Sequence, residues 1–123
     1  MKYLIMIQSN AQSRAAWETW TEQQQMNFGR AHYALSDELA AAGLLVASEG
    51  LGDPALSTHV QVRDGQTLTT DGPFAEAKEY LAGFYLVDVE RLEDAVEIAA
   101  RMPDAAVTSV EIRPVFDPRG LEL

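Results

Sequence analysis

Apolar and polar positions along this chain switch between two periods, and the switches mark its elements. The opening run Tyr3-Leu4-Ile5-Met6-Ile7 predicts a strand over residues 2–8. Asn10 to Ser13 is polar and leads into a helix. From Arg14 to Ala42 one face recurs every three to four residues, through Trp17, Trp20, Gln24, Phe28, Ala31, Leu35 and Leu39, apolar except at Gln24. Gly29 marks a kink in that helix or a break into two, and Gly43 suits its C-terminal cap. Leu44 to Ser48 reads as a second strand, and Gly50-Leu51-Gly52-Asp53-Pro54 as a loop. Thr58 to Arg63 alternates cleanly, Asp64-Gly65 is a tight-turn signal, and Gln66 to Thr70 returns as the second arm of a hairpin. Leu81 to Val89 is a strand, Glu90 to Met102 a helix stopped by Pro103-Asp104, and Val107 to Val115 the last strand. Asp117 to Leu123 is a short tail.

The order is β-α-β, a hairpin, then β-α-β. Two helices laid on one face of an antiparallel sheet make a ferredoxin-like α+β protein with a hairpin inserted. In the first strand, Tyr3, Ile5 and Ile7 alternate with Leu4 and Met6; in the Leu81–Val89 strand, Phe84 and Leu86 alternate with Tyr85, Val87 and Val89. Both faces are apolar, yet the helices cover one. A second copy of the sheet is the economical cover, which predicts a homodimer with a ligand-sized cavity between facing sheets.

At 123 residues the chain is expected to form one domain. No apolar run approaches the roughly 20 residues of a membrane span, and the first residues carry no cleavage pattern, so a cytoplasmic location is expected. A net charge of -10 argues against binding nucleic acid or an anionic membrane surface. The absence of cysteine removes disulfides and thiolate chemistry. His32 and His59 show no metal-ligand spacing, and no phosphate-cradling glycine loop is present, so neither metal nor cofactor is expected.

The densest chemistry lies in Thr70-Asp71-Gly72-Pro73-Phe74-Ala75-Glu76-Ala77-Lys78-Glu79. Asp71 is a general base, a partner that orients His32, or a cap for the turn. Phe74 walls a pocket or plugs the core. Glu76, Lys78 and Glu79 bind a polar ligand or form a solvated charge cluster. His32 suits proton transfer near neutral pH, or is a satisfied helix residue. Glu111 and Arg113 share one face of the last strand. If Val110 and Ile112 face the helices, these two face the predicted cavity.

The string Thr70 to Glu76 with Lys78-Glu79, followed by Gly83-Phe84-Tyr85-Leu86-Val87-Asp88, resembles the DGPF signature of the YCII-related family. Met1-Lys2-Tyr3-Leu4, Ala42-Gly43, Glu49-Gly50-Leu51 and Val110-Glu111-Ile112-Arg113-Pro114 extend the resemblance over nearly the whole chain. It implies a dimeric α+β barrel of ferredoxin-like protomers and carries no established activity. Some members of the family accompany extracytoplasmic-function sigma factors, which implies a regulatory or protein-interaction module as one alternative. A short-chain branch has a histidine eleven positions before the helix-ending glycine, proposed as part of a His-Asp active site. Ala31-His32 stands at that spacing before Gly43.

Two functions follow. One is a small-molecule-binding protein or cofactor-independent acid–base enzyme, with Asp71 and Glu76 or His32 moving the proton and Lys78 or Arg113 holding an anionic group. The other is the non-enzymatic module.

Overall fold

A computed structural model describes residues 1–72 and 78–119. Its elements are β1 (Lys2–Asn10), α1 (Ala11–Thr19), α2 (Glu22–Ala41), β2 (Leu45–Gly50), a 3₁₀ turn (Pro54–Leu56), β3 (Thr58–Arg63), β4 (Gln66–Asp71), β5 (Glu79–Asp88), α3 (Leu92–Ala100), α4 (Asp104–Val107) and β6 (Ser109–Pro114). The central sheet has the order β2-β5-β1-β6, with every neighbouring pair antiparallel. This α+β arrangement is consistent with the ferredoxin-like plan. No helix among the described residues is long and apolar enough to cross a membrane.

The long helical stretch breaks, but not at Gly29. The break falls at Trp20-Thr21, where backbone geometry turns extended. The Thr21 side chain accepts from the Gln24 N–H, and Gln24 reaches back to the Thr21 N–H. This reciprocal cap satisfies donors that the first turn of a helix otherwise leaves open. Gly29 sits inside an unbroken α2. Asn10 and Ser13 cap α1 in the same way.

The core lies between the helices and one face of the sheet. Tyr3, Ile5 and Ile7 of β1 meet Tyr85 and Val87 of β5, with Leu35 and Leu39 of α2 and Ala95, Ile98 and Ala99 of α3. Ile5, Val87 and Met102 are fully buried, each stabilising the fold by roughly 1.5–3 kcal/mol. The register skips Ala82, so β5 bulges opposite Ile7 and Gln8. Beside the bulge, a Cβ at Gly83 would come within 3.0 Å of the Glu49 carbonyl oxygen. Glycine there lets β2 lie close against β5.

The helices leave the other face of the sheet open, although Met6 there is only 9% exposed and Leu4, Phe84 and Leu86 are half-buried. Strand pairing puts Glu49, Phe84, Met6 and Glu111 in one row, and Ala47, Leu86, Leu4 and Arg113 in the next. Val110 and Ile112 pack against the core, so alternation turns Glu111 and Arg113 to the open side, as expected from the sequence.

The hairpin forms at the expected turn. Asp64 and Gly65 both have positive φ, 50° and 77°, as a two-residue type I′ turn requires. Strands β3 and β4 form a sheet of their own.

Candidate functional site

Helices α1, α2 and α4, the loop after β2 and the inner face of the sheet line an open cleft of about 690 Å³, within the size range of small-molecule sites. His32, one of its lining residues, projects from the middle of α2. Its Nε2 bonds to Asp104 Oδ1, and its Nδ1 lies 2.8 Å from the Tyr85 hydroxyl. The His32 and Asp104 side chains are 22% and 13% exposed. The pair therefore stays in reach of the cleft while losing much of its water.

Three elements build this contact. Tyr85 points inward from β5 because it shares the phase of Gly83 and Val87. His32 precedes buried Leu35 and Leu39 by three and seven positions, which puts it on the same side of α2. Asp104 opens α4, immediately after Pro103. Proline ends the register of the preceding helix and restarts the chain in a new direction, and this aims Asp104 at α2.

The hydroxyl of Tyr85 has three neighbours: His32 Nδ1, the His32 carbonyl oxygen at 3.1 Å and Ser36 Oγ at 3.3 Å. Burial raises the Tyr85 pKa above 10.0; a hydrogen bond from Ser36 opposes that rise, and the Asp104 charge adds to it. Tyr85 is thus held as a neutral O–H donor. With Asp104 ionised, Nε2 must carry a proton, and the neutral ring accepts the Tyr85 O–H at Nδ1. When the ring is protonated, Nδ1–H donates to the phenol oxygen, and the tyrosine proton turns to the His32 carbonyl. Both protonation states keep the hydrogen bonds satisfied without moving a heavy atom.

Aromatic rings wall the cleft. The Trp17 and Trp20 centroids are 5.3 Å apart, each lies 5.5 Å from Phe28, and Phe28 lies 5.4 Å from His32. Arg14 of α1 pairs with Asp53 in the loop after β2, both lining the cleft. Helix α1 buries no residue, so this ion pair and the aromatic cluster tie it over the cleft.

The structure brings together only part of the set expected from sequence. His32 is in the cleft, but the carboxylate that meets it is Asp104, not Asp71. Asp71 ends β4, exposed, opposite Thr58. Gly72 follows at φ 89° and donates its N–H to the Ser57 carbonyl, so the Asp-Gly step closes the base of the hairpin. Lys78 is an exposed bend residue, and Glu79 starts β5, exposed and opposite Asn10. Neither Lys78 nor Arg113 is among the residues lining the cleft. Glu111 and Arg113 stand on the open face of the sheet, away from His32. Phe74 and Glu76, with Pro73, lie outside the described residues. Asp104, Tyr85, Ser36, Trp17, Trp20 and Arg14 were not anticipated as site residues. Pro103-Asp104 reads as a helix stop, yet Pro followed by Asp equally opens a helix, and that signal could have found it. No group of three or more metal-ligating side chains occurs among the described residues.

Fold and cleft together define an α+β protein with a histidine–aspartate pair set in an aromatic-walled pocket. The chain matches the YCII-related domain over residues 1–119 and belongs to that family. It is 30% identical over 117 residues to the uncharacterized protein R00369 of Rhizobium meliloti (strain 1021), an alignment that covers 94% of this chain and 92% of the relative.

Proposed function

We propose that the protein binds a small molecule in the cleft and moves a proton on it without a cofactor, using His32 and Asp104. The observation that carries this is the pairing of His32 Nε2 with Asp104 at the cleft, backed on Nδ1 by Tyr85. The backing on both ring nitrogens favours one route. The ring has no vacant nitrogen for a ligand, while no hydrogen bond from the described residues reaches Asp104 Oδ2. Asp104 therefore meets the ligand, accepting a proton from one atom and returning it to another. His32 holds that carboxylate in place by Nε2–H. A base in this role contributes about 10²–10⁴-fold.

The expected dimer has support of a different kind. The open face carries Leu4, Met6, Phe84 and Leu86 at its centre, with Glu49 at one edge and Glu111 and Arg113 at the other. A second copy related by a twofold axis would cover the apolar centre. The β3–β4 hairpin exposes Val60 and Val62, and a two-stranded hairpin is marginal in water by itself. The dimer stands apart from the proton-transfer site, because the cleft lies on the helix side of the sheet and its lining comes from a single chain.

Proton transfer can be detected before the substrate is known. A panel of carbon acids (cyclic ketones, β-diketones, enol lactones) is incubated in D₂O with wild type, His32→Gln and Asp104→Asn. Deuterium incorporation is followed by proton NMR. Wild type should accelerate exchange into at least one compound, and Asp104→Asn should lose about a hundredfold or more of that rate. Equal exchange by wild type and both variants would refute the assignment.

A further inference from the structure

The walls and charges of the cleft define the kind of molecule it takes. Five rings run through it in contact: Trp17, Trp20, Phe28, His32 and Tyr85, with successive centroids 5.3–5.8 Å apart. The contacts are tilted or edge-on, with interplanar angles of 38–74°. All five rings line the cleft, so its wall offers aromatic surface to a ligand. The lining cations among the described residues are Arg14 and, when protonated, His32. Each is already bonded to a carboxylate, Arg14 to Asp53 and His32 to Asp104. The whole chain adds a net charge of -10. An anionic ligand would find no unpaired cation there and would have to displace a carboxylate from its partner. A hydrogen-bond donor, by contrast, meets the open oxygen of Asp104.

We infer that the cleft takes a flat ring compound that carries no negative charge and donates a hydrogen bond to Asp104. The inference rests on the cleft being the ligand site, as proposed above, but not on proton transfer occurring there. It also departs from the expectation that Lys78 or Arg113 holds an anionic group.

Trp17 and Trp20 are the only tryptophans of the chain, and both line the cleft, so tryptophan emission reports on this site alone. The full-length protein is titrated with benzyl alcohol, benzylamine, benzoate and cyclohexylmethanol, following emission and, in parallel, thermal stability. Benzyl alcohol and benzylamine should bind. Benzoate should bind at least about tenfold more weakly, a modest outcome for a like charge set near a partly buried carboxylate. Cyclohexylmethanol, of similar size but not flat, should bind several-fold more weakly than benzyl alcohol. Asp53→Asn leaves Arg14 unpaired while keeping a cap for the 3₁₀ turn, and should bring benzoate up towards benzyl alcohol. Benzoate binding wild type as tightly as benzyl alcohol would overturn the charge inference. Equal binding of cyclohexylmethanol, or no response to any of the four, would overturn the flat-ring inference. Retained benzyl alcohol binding with no deuterium exchange would sink the proton-transfer proposal and leave the ligand class standing.

Discussion

Tyr85 has one hydroxyl proton and two acceptors for it, and this makes its ionisation informative. Burial favours the neutral phenol, so its pKa in the folded protein lies above the 10.0 of an unperturbed tyrosine. The sign follows from linkage. A group with a raised folded pKa contributes stability that is fully present below its unfolded pKa and is lost as pH rises through its folded pKa. The protein should therefore lose stability as pH climbs beyond about 10, and Tyr85→Phe should flatten that loss. An alkaline absorbance titration checks the assignment: one late tyrosine step should vanish in the variant. A profile identical to wild type would remove Tyr85 from the account. At this scale the sequence is legible for His32, whose distance from Gly43 can be counted. It is silent on Asp104, 72 residues away, because α4 and α2 meet only after the chain has folded. Asp71 shows the reverse case. Its surroundings are chemically dense in sequence, yet its position is set by the local demands of a hairpin.

Among the elements, strand positions follow closely from alternation, and the helix break does not follow from glycine. A lone glycine inside a helix costs about 1 kcal/mol relative to alanine, too little to end it. The reciprocal cap of Thr21 and Gln24 satisfies backbone donors and starts α2 afresh. The Thr-x-x-Gln pattern is readable, but Gln24 also stands at the helical spacing between Trp20 and Phe28, and a single continuous helix hides its capping role. The break has a consequence for the site. Freed from the axis of α2, α1 can set Trp17 against Phe28 at the cleft. Thr21→Ala should destabilise the protein by about 1 kcal/mol, read in a urea melt, and should also alter tryptophan emission. Stability loss with unchanged emission would separate the cap from the cleft.

On the scale of the whole molecule, the sheet order and its two faces explain why a sequence reading located one half of the function better than the other. Alternation assigns Glu111 and Arg113 to the open face correctly, since pleating fixes the side on which each residue emerges. It says nothing of a cleft built on the helix side, where α1, α2 and α4 converge from distant parts of the chain. If a second copy covers the open face, light scattering should give twice the 13.5 kDa chain mass, and Phe84→Glu should shift it to the monomer. A wild-type monomer would contradict the dimer and leave the cleft intact. The central claim concerns His32 and Asp104, and ¹⁵N NMR of the imidazole tests it most directly. With the ring neutral, the account predicts that His32 carries its proton on Nε2, donated to ionised Asp104, and accepts from Tyr85 at Nδ1. A neutral ring protonated at Nδ1 would contradict it.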